Sequence, residues 1–198
     1  MQQRPIQIWT IGHSTRSIEE FIALLKENKI AALADVRQFP GSRRYPHFGR
    51  EQLSKSLARE GIDYFHFPEL GGRRKALADS PNTAWRHPAF RGYADYMMTE
   101  DFQKGIARLL ELAKEKHTAI QCAEAVWWKC HRGLISDFLK ARGHEVFHIL
   151  GTNKMEPHPF TSAAKVVNGK LSYATDLTET NREMELDLNH KGAKTQRI

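Results

Sequence analysis

Short runs of β-branched and aromatic residues alternate along the chain with longer stretches in which apolar residues recur every three or four positions. Residues 6–11, Ile-Gln-Ile-Trp-Thr-Ile, read as a strand. Ser17-Ile18-Glu19-Glu20 matches a capping box, in which a hydroxyl and a carboxylate three residues apart satisfy the free N–H groups of a helix start. It opens the amphipathic run Phe21-Ile22-Ala23-Leu24-Leu25. Residues 30–36 predict a second buried strand, and 50–60 a helix with Leu53 and Leu57 four apart and Gly61 placed to end it. A third strand covers 62–67. From 70 to 88 the chain is rich in Gly, Arg and Pro without periodicity, the pattern of a functional loop. Helical patterning resumes near Phe90. A long helix follows, with Phe102, Ile106, Leu109, Leu110 and Ala113 on one face, and it feeds a short fourth strand ending near Cys122. A helix over 131–142, with Leu134, Ile135, Phe138 and Leu139 inward and Gly143 at its end, leads to a fifth strand over 145–150.

This alternation predicts an α/β fold: an open, mainly parallel five-stranded sheet with helices on both faces. Val166-Val167-Asn168-Gly169-Lys170-Leu171-Ser172-Tyr173 reads as a β-hairpin on an Asn-Gly turn, spanning 164–174 at the edge of the sheet. With 198 residues, a single α/β domain over 1–175 is expected. The polar stretch 176–198 has little periodicity and is expected to be a mobile tail. There is no internal repeat. No apolar run approaches the ~18–20 residues that cross a bilayer, and the first five residues lack the apolar core of a signal peptide. A cytoplasmic protein with no membrane partner is expected.

Charge changes the picture. The chain carries 30 Lys+Arg against 23 Asp+Glu, a net +7. Residues 1–36 and 92–150 are each neutral, whereas 37–91 hold eleven basic residues, nine of them Arg, against five acidic ones. Arginine is favoured where planar phosphate or carboxylate groups are gripped, so a small anionic ligand or a nucleic acid is implied. The same segment contains Phe39, Tyr45, Phe48, Tyr64 and Trp85, which suits stacking on bases. Only two cysteines occur, Cys122 and Cys130, which excludes a disulfide scaffold and makes reduced thiols the expected state.

Ligands of open α/β sheets bind outside the carboxyl ends of the strands, and there this sequence is unusually polar. His13 is a candidate general acid or base, or only a cap for the next helix; Ser14 beside it is a candidate ligand contact. Asp35 and Arg37 form an anion-binding pair or a structural one, and Arg44 adds a cation. Gly71-Gly72, followed by Arg73, suits close backbone approach to a ligand. Cys122 is a small buried hydrophobe or a reactive thiol. Glu124 is a candidate base, nucleophile or sugar-hydroxyl ligand. Cys130, His131 and Arg132 sit at a helix start, where free N–H groups and the dipole favour anions and depress thiol pKa values. Trp127 and Trp128 are packing or a pocket wall.

Three sharper motifs fail on spacing. The phosphatase and rhodanese anion loop places a Cys five residues before its Arg, whereas here the separations from Arg132 are ten and two. Zinc sites pair cysteines two to four apart, and these are eight apart, so no metal is expected. There is no GxGxxG fingerprint and no P-loop, which argues against nicotinamide or nucleoside-triphosphate chemistry and leaves the cofactor open.

The ordered set Thr10-Ile11-Gly12-His13-Ser14, Asp35-Val36-Arg37, Phe39-Pro40-Gly41-Ser42, Leu70-Gly71-Gly72, Phe90-Arg91-Gly92-Tyr93-Ala94 and Cys122-Ala123-Glu124 through Cys130-His131-Arg132 closely resembles the domain of unknown function 488 family, over roughly residues 6–150. The resemblance implies a cytoplasmic α/β domain of bacterial or archaeal type and supplies no reaction. One departure is that Ala125-Val126-Trp127-Trp128-Lys129 lacks a proline often found there in similar sequences. Two functions follow. One is an enzyme on a phosphorylated or nucleotide-like substrate, with Arg37, Arg73 and Arg132 gripping charge, Glu124 or His13 moving the proton, and Cys122 or Cys130 as an alternative nucleophile. The other is a non-catalytic nucleic-acid-binding module built on 37–91.

Overall fold

The computed structural model describes residues 4–41 and 43–175. Strand β1 (Gln7–Gly12) is followed by α1 (Ile18–Glu27), β2 (Ala32–Asp35), α2 (Arg50–Arg59), β3 (Asp63–His66), α3 (Pro88–Tyr96), α4 (Glu100–Glu115), β4 (Thr118–Cys122), α5 (Arg132–Ala141) and β5 (Glu145–Gly151). The capping box works as its residues require: the Ser17 hydroxyl accepts the Glu20 N–H at 3.1 Å. Gly61 and Gly143 follow α2 and α5 in the left-handed conformation, φ +71° and +84°, that ends a helix cleanly.

The strands stand in the order β3-β2-β4-β1-β5, all parallel, with β6 (Lys154–Pro157) antiparallel beside β5. The sheet therefore has six strands, one more than the pattern predicts. Lys-Met-Glu-Pro is exposed along most of its length and carries a proline, features that protect an edge and erase the alternation by which a strand is recognised. β7 (Lys165–Val167) and β8 (Lys170–Ser172) form the expected hairpin, with Asn168 at φ +50° and Gly169 at +73° as a two-residue turn demands. It does not extend the sheet edge but forms a separate ribbon against α5. The anchor is Tyr173, buried just after β8, whose hydroxyl donates to Asp137 of α5 and whose carbonyl accepts the Ala84 N–H.

Helices cover both faces. Phe21, Leu24 and Leu25 of α1 and Leu53 and Leu57 of α2 pack on Ile11, Leu33 and Ala119. Tyr93 of α3, Phe102, Ile106 and Leu109 of α4, and Leu134, Ile135 and Leu139 of α5 pack on Ile8, Ala34 and Ile120 opposite. Because β1 leads into α1 on one face and its neighbour β4 into α5 on the other, the chain parts at their carboxyl ends and leaves a crevice, the usual ligand position in such sheets. Among the described residues no helix is long and apolar enough to cross a membrane. The predicted tail 176–198 and Ser42 lie outside the described residues.

Candidate functional site

β1 and β4 end side by side, Gly12 opposite Cys122. The loops after them stay paired, His13 N–H donating to the Cys122 carbonyl at 3.0 Å and Ser14 N–H to that of Ala123 at 2.9 Å. So close an approach requires Gly12, since a Cβ there would stand 1.8 Å from the Glu124 carbonyl oxygen. Gly12→Ala is expected to preserve helix content while lowering stability by roughly 1–3 kcal/mol, as overpacking does. Urea unfolding checks this, and an unchanged midpoint would show that the 123–125 loop gives way freely.

Above this junction lies a cavity of about 950 Å³. His13, Ser14, Arg37, Arg44, Gly72, Arg73, Cys122, Glu124, Cys130 and His131 reach it, whereas Asp35, Gly71 and Arg132 lie behind its wall. The buried arginines are already engaged. Arg37 forks onto Asp35, with Nη2 to Oδ2 at 2.6 Å and Nε to Oδ1 at 2.9 Å, and also donates to the Phe48 carbonyl. Tyr64 donates to the same carboxylate at 2.7 Å. The Asp35–Arg37 pair thus fastens β2 to β3 and to the 45–48 turn.

His13 faces Arg37. Arg37 Nη1 donates to His13 Nε2 at 3.5 Å, the ring lies on Phe48 with centroids 4.3 Å apart, and Nδ1–H donates to the Ser14 carbonyl. Burial, helped by the Arg37 charge, lowers the His13 pKa to about 4. His13 is therefore neutral at physiological pH with both nitrogens engaged, which suits holding Arg37 better than transferring protons.

Arg132, expected to grip a ligand, is 1% exposed and lies under the floor. Its Nη2 donates to the Glu124 carbonyl at 2.5 Å, Nη1 to Thr10 Oγ1 at 3.5 Å and Nε to Cys130 Sγ at 3.5 Å. None of the ion pairs among the described residues includes it. Its Nε–H is directed at the Cys130 sulfur and favours the thiolate there. From Thr10 a buried chain continues to His148 Nδ1 at 2.7 Å, from His148 Nε2 to His158 Nδ1 at 2.8 Å, and from His158 Nε2 to Asp137 Oδ1 at 3.0 Å. A guanidinium can only donate and a carboxylate only accept, so with a neutral His158 every bond in this relay points from Arg132 toward Asp137. Burial lowers the His148 pKa to about 2, which keeps its ring neutral as the relay requires. Trp127 stacks on His148 at 4.5 Å and is packing; Trp128, half exposed, is cavity wall.

A 3-10 turn, Trp127–Lys129, folds the chain back so that Cys130 returns to Cys122. The sulfurs and a ring nitrogen of His131 lie within 4.8 Å of one another, with Cys130 Sγ 3.7 Å from His131 Nδ1. His131 Nε2 is 3.2 Å from the Val36 carbonyl, which only accepts, so Nε2 carries a proton. Gly72 fits against this ring, a Cβ there coming within 2.9 Å of Nδ1; its close approach is to His131. Burial opposes charge on Cys130, but the Cys122 thiol, His131 and Arg132 outweigh it and push the pKa well down. Hydrogen bonding to Cys130 and burial push Cys122 well up.

The basic segment divides similarly. Arg74 lies 3.6 Å over the Tyr96 ring and donates to the Gly71 and Pro68 carbonyls, and Arg91 donates to that of Trp85. Arg44, Arg73 and Lys129 line the cavity, and none has an ion-pair partner among the described residues. Phe39, 69% exposed, and Trp128, 50% exposed, stand beside them. Lys129 and Tyr93 are lining residues that sequence reasoning did not single out, although both lie in or beside quoted motifs.

No curated protein and no solved structure matches the chain significantly. A family model, Domain of unknown function DUF488, matches residues 17–139. That is more than half of the chain, within the 6–150 over which the motifs run, and it spans the Asp35 to Arg37, Gly71-Gly72 and Cys122 to Arg132 segments that build most of the cavity. On this match the chain belongs to the DUF488 family.

Proposed function

We propose that the protein is an enzyme acting on a small anionic substrate, phosphorylated or nucleotide-like, held at the carboxyl ends of β1, β2 and β4. The observation that supports this reading is the composition of the cavity: the cations Arg44, Arg73 and Lys129, without ion-pair partners among the described residues, face the same space as Cys122, Cys130, His131 and Glu124. A simple binding surface needs the first set and has no use for the second. Glu124, exposed on the loop after β4, is the group placed to move a proton.

A thermal-shift screen of inorganic phosphate, phosphosugars and nucleotides tests the proposal. One ligand class should raise the melting temperature; at a hundredfold excess over Kd the stabilisation is about 2.7 kcal/mol. Arg44→Ala and Arg73→Asn should reduce the shift, asparagine being chosen because Arg73 sits at φ +61°. If no anion shifts the protein, or the shift ignores both substitutions, the reading fails.

A second reading rests on exposed Phe39 and Trp128 beside these cations, which suits bases of single-stranded nucleic acid at about 1–3 kcal/mol per stacked base. Oligonucleotide binding at low salt, weakened by Phe39→Ala, Trp128→Ala and added salt, would support it. Absence of binding at low salt would end it.

A further inference from the structure

We propose that Cys122, Cys130 and His131 form a three-ligand site for Zn²⁺ or a comparably soft divalent ion, with its fourth position open to the cavity. This goes beyond the enzyme reading and holds whatever the substrate is. The sequence separation of the two cysteines concealed the cluster, because β4 and the returning 3-10 turn bring together what eight positions keep apart. Tetrahedral zinc, with Zn–S about 2.3 Å and Zn–N about 2.0–2.1 Å, sets a sulfur-to-nitrogen separation of about 3.5 Å. Cys130 Sγ and His131 Nδ1 stand 3.7 Å apart.

The surroundings suit metal ligands. His131 gives its Nε2–H to the Val36 carbonyl, which leaves Nδ1, on the side of the Cys130 sulfur, as the nitrogen able to bind a metal. Metal-bound histidines are oriented in this way by an acceptor on the far nitrogen. Arg132 Nε–H points at Cys130 Sγ, an outer hydrogen bond that stabilises a thiolate ligand. Two thiolates and one divalent ion sum to zero charge, leaving the buried Arg132 among hydrogen-bond acceptors. Three protein ligands on a cavity wall, instead of four enclosing the ion, match zinc sites that keep a position for water or substrate.

The test uses the full chain, stripped with a chelator and held reduced by a phosphine, then titrated with Co²⁺ and competed with Zn²⁺. The expected result is one ion per chain, strong visible bands of tetrahedral cobalt and a near-ultraviolet thiolate charge-transfer band, displaced by Zn²⁺. Cys122→Ser, Cys130→Ser and His131→Gln should each weaken Zn²⁺ binding by at least about 100-fold, beyond the ~10–100-fold of an outer-shell change. Lys129→Ala, a cavity residue outside the set, should leave it intact. A reduced wild type that takes up no cobalt, cobalt bound without the charge-transfer band, or affinity that survives loss of any one ligand would overturn the site. So would a Cys122–Cys130 disulfide whose reduction restores no metal binding. These readouts need no substrate, so failure of the anion screen and failure of the metal site are told apart.

Discussion

Asp137→Ala should lower the stability of the fold by roughly 3–5 kcal/mol, the range for removing one partner from a buried charged network. The carboxylate is fully buried on α5 and accepts four hydrogen bonds: His158 Nε2 at 3.0 Å, Thr161 N–H at 2.8 Å, Thr161 Oγ1 at 2.6 Å and Tyr173 OH at 2.9 Å. Each donor left without an acceptor costs about 1–3 kcal/mol, and partial relaxation keeps the sum below simple addition. These donors all come from the segment after β5, so the carboxylate holds the C-terminal ribbon on α5. Asp137→Asn keeps one acceptor oxygen but turns an N–H₂ toward groups that themselves donate, and its cost should fall between wild type and alanine. Urea unfolding followed by tryptophan fluorescence measures both. A loss below about 1 kcal/mol for alanine would mean that water enters and satisfies the donors.

Arg132→Met should cost about 3 kcal/mol or more, although methionine fills similar space without charge. The guanidinium holds the Glu124 carbonyl, the Thr10 hydroxyl and the Cys130 sulfur at once, so its loss unties the 123–130 loop from β1 and starts the relay without a donor. Arg132→Lys keeps the charge but has no planar fork to reach three acceptors, and should recover only part of the loss. The same urea measurement decides. Equal stability of the methionine variant and wild type would show that the buried charge contributes nothing to holding this loop.

The elements were legible wherever local chemistry determines them. Ser17 caps its helix because a hydroxyl must meet the Glu20 N–H, and Gly61 and Gly143 end theirs because they take φ values costly for other residues. The crevice followed from the strand-helix alternation. β6 was not legible, since Lys154, Met155 and Pro157 are exposed and β5 alone determines their pairing. Nor were the roles of the arginines. Arg37 and Arg132 look in sequence like Arg44 and Arg73, and only burial against Asp35 or Cys130 separates structural cations from those that line the cavity. The cysteine cluster was hidden for the same reason: it depends on where β4 stops and how the Trp127–Lys129 turn returns, which spacing rules for continuous motifs do not see.

The place of β1 in the sheet has a further consequence, for synthesis. Its two neighbours, β4 and β5, are both late in the chain, whereas β2 and β3 can pair as soon as they emerge. Gly12 precedes Cys122 by about 110 residues, so at a translation rate of ~5–20 residues per second the first strand waits roughly 5–20 s for its first partner. During that interval Ile8, Trp9 and Ile11, all buried in the finished sheet, are exposed on a nascent chain with open backbone edges. Ribosome-bound chains halted before β4 should therefore be the form most prone to capture by chaperones or to self-association.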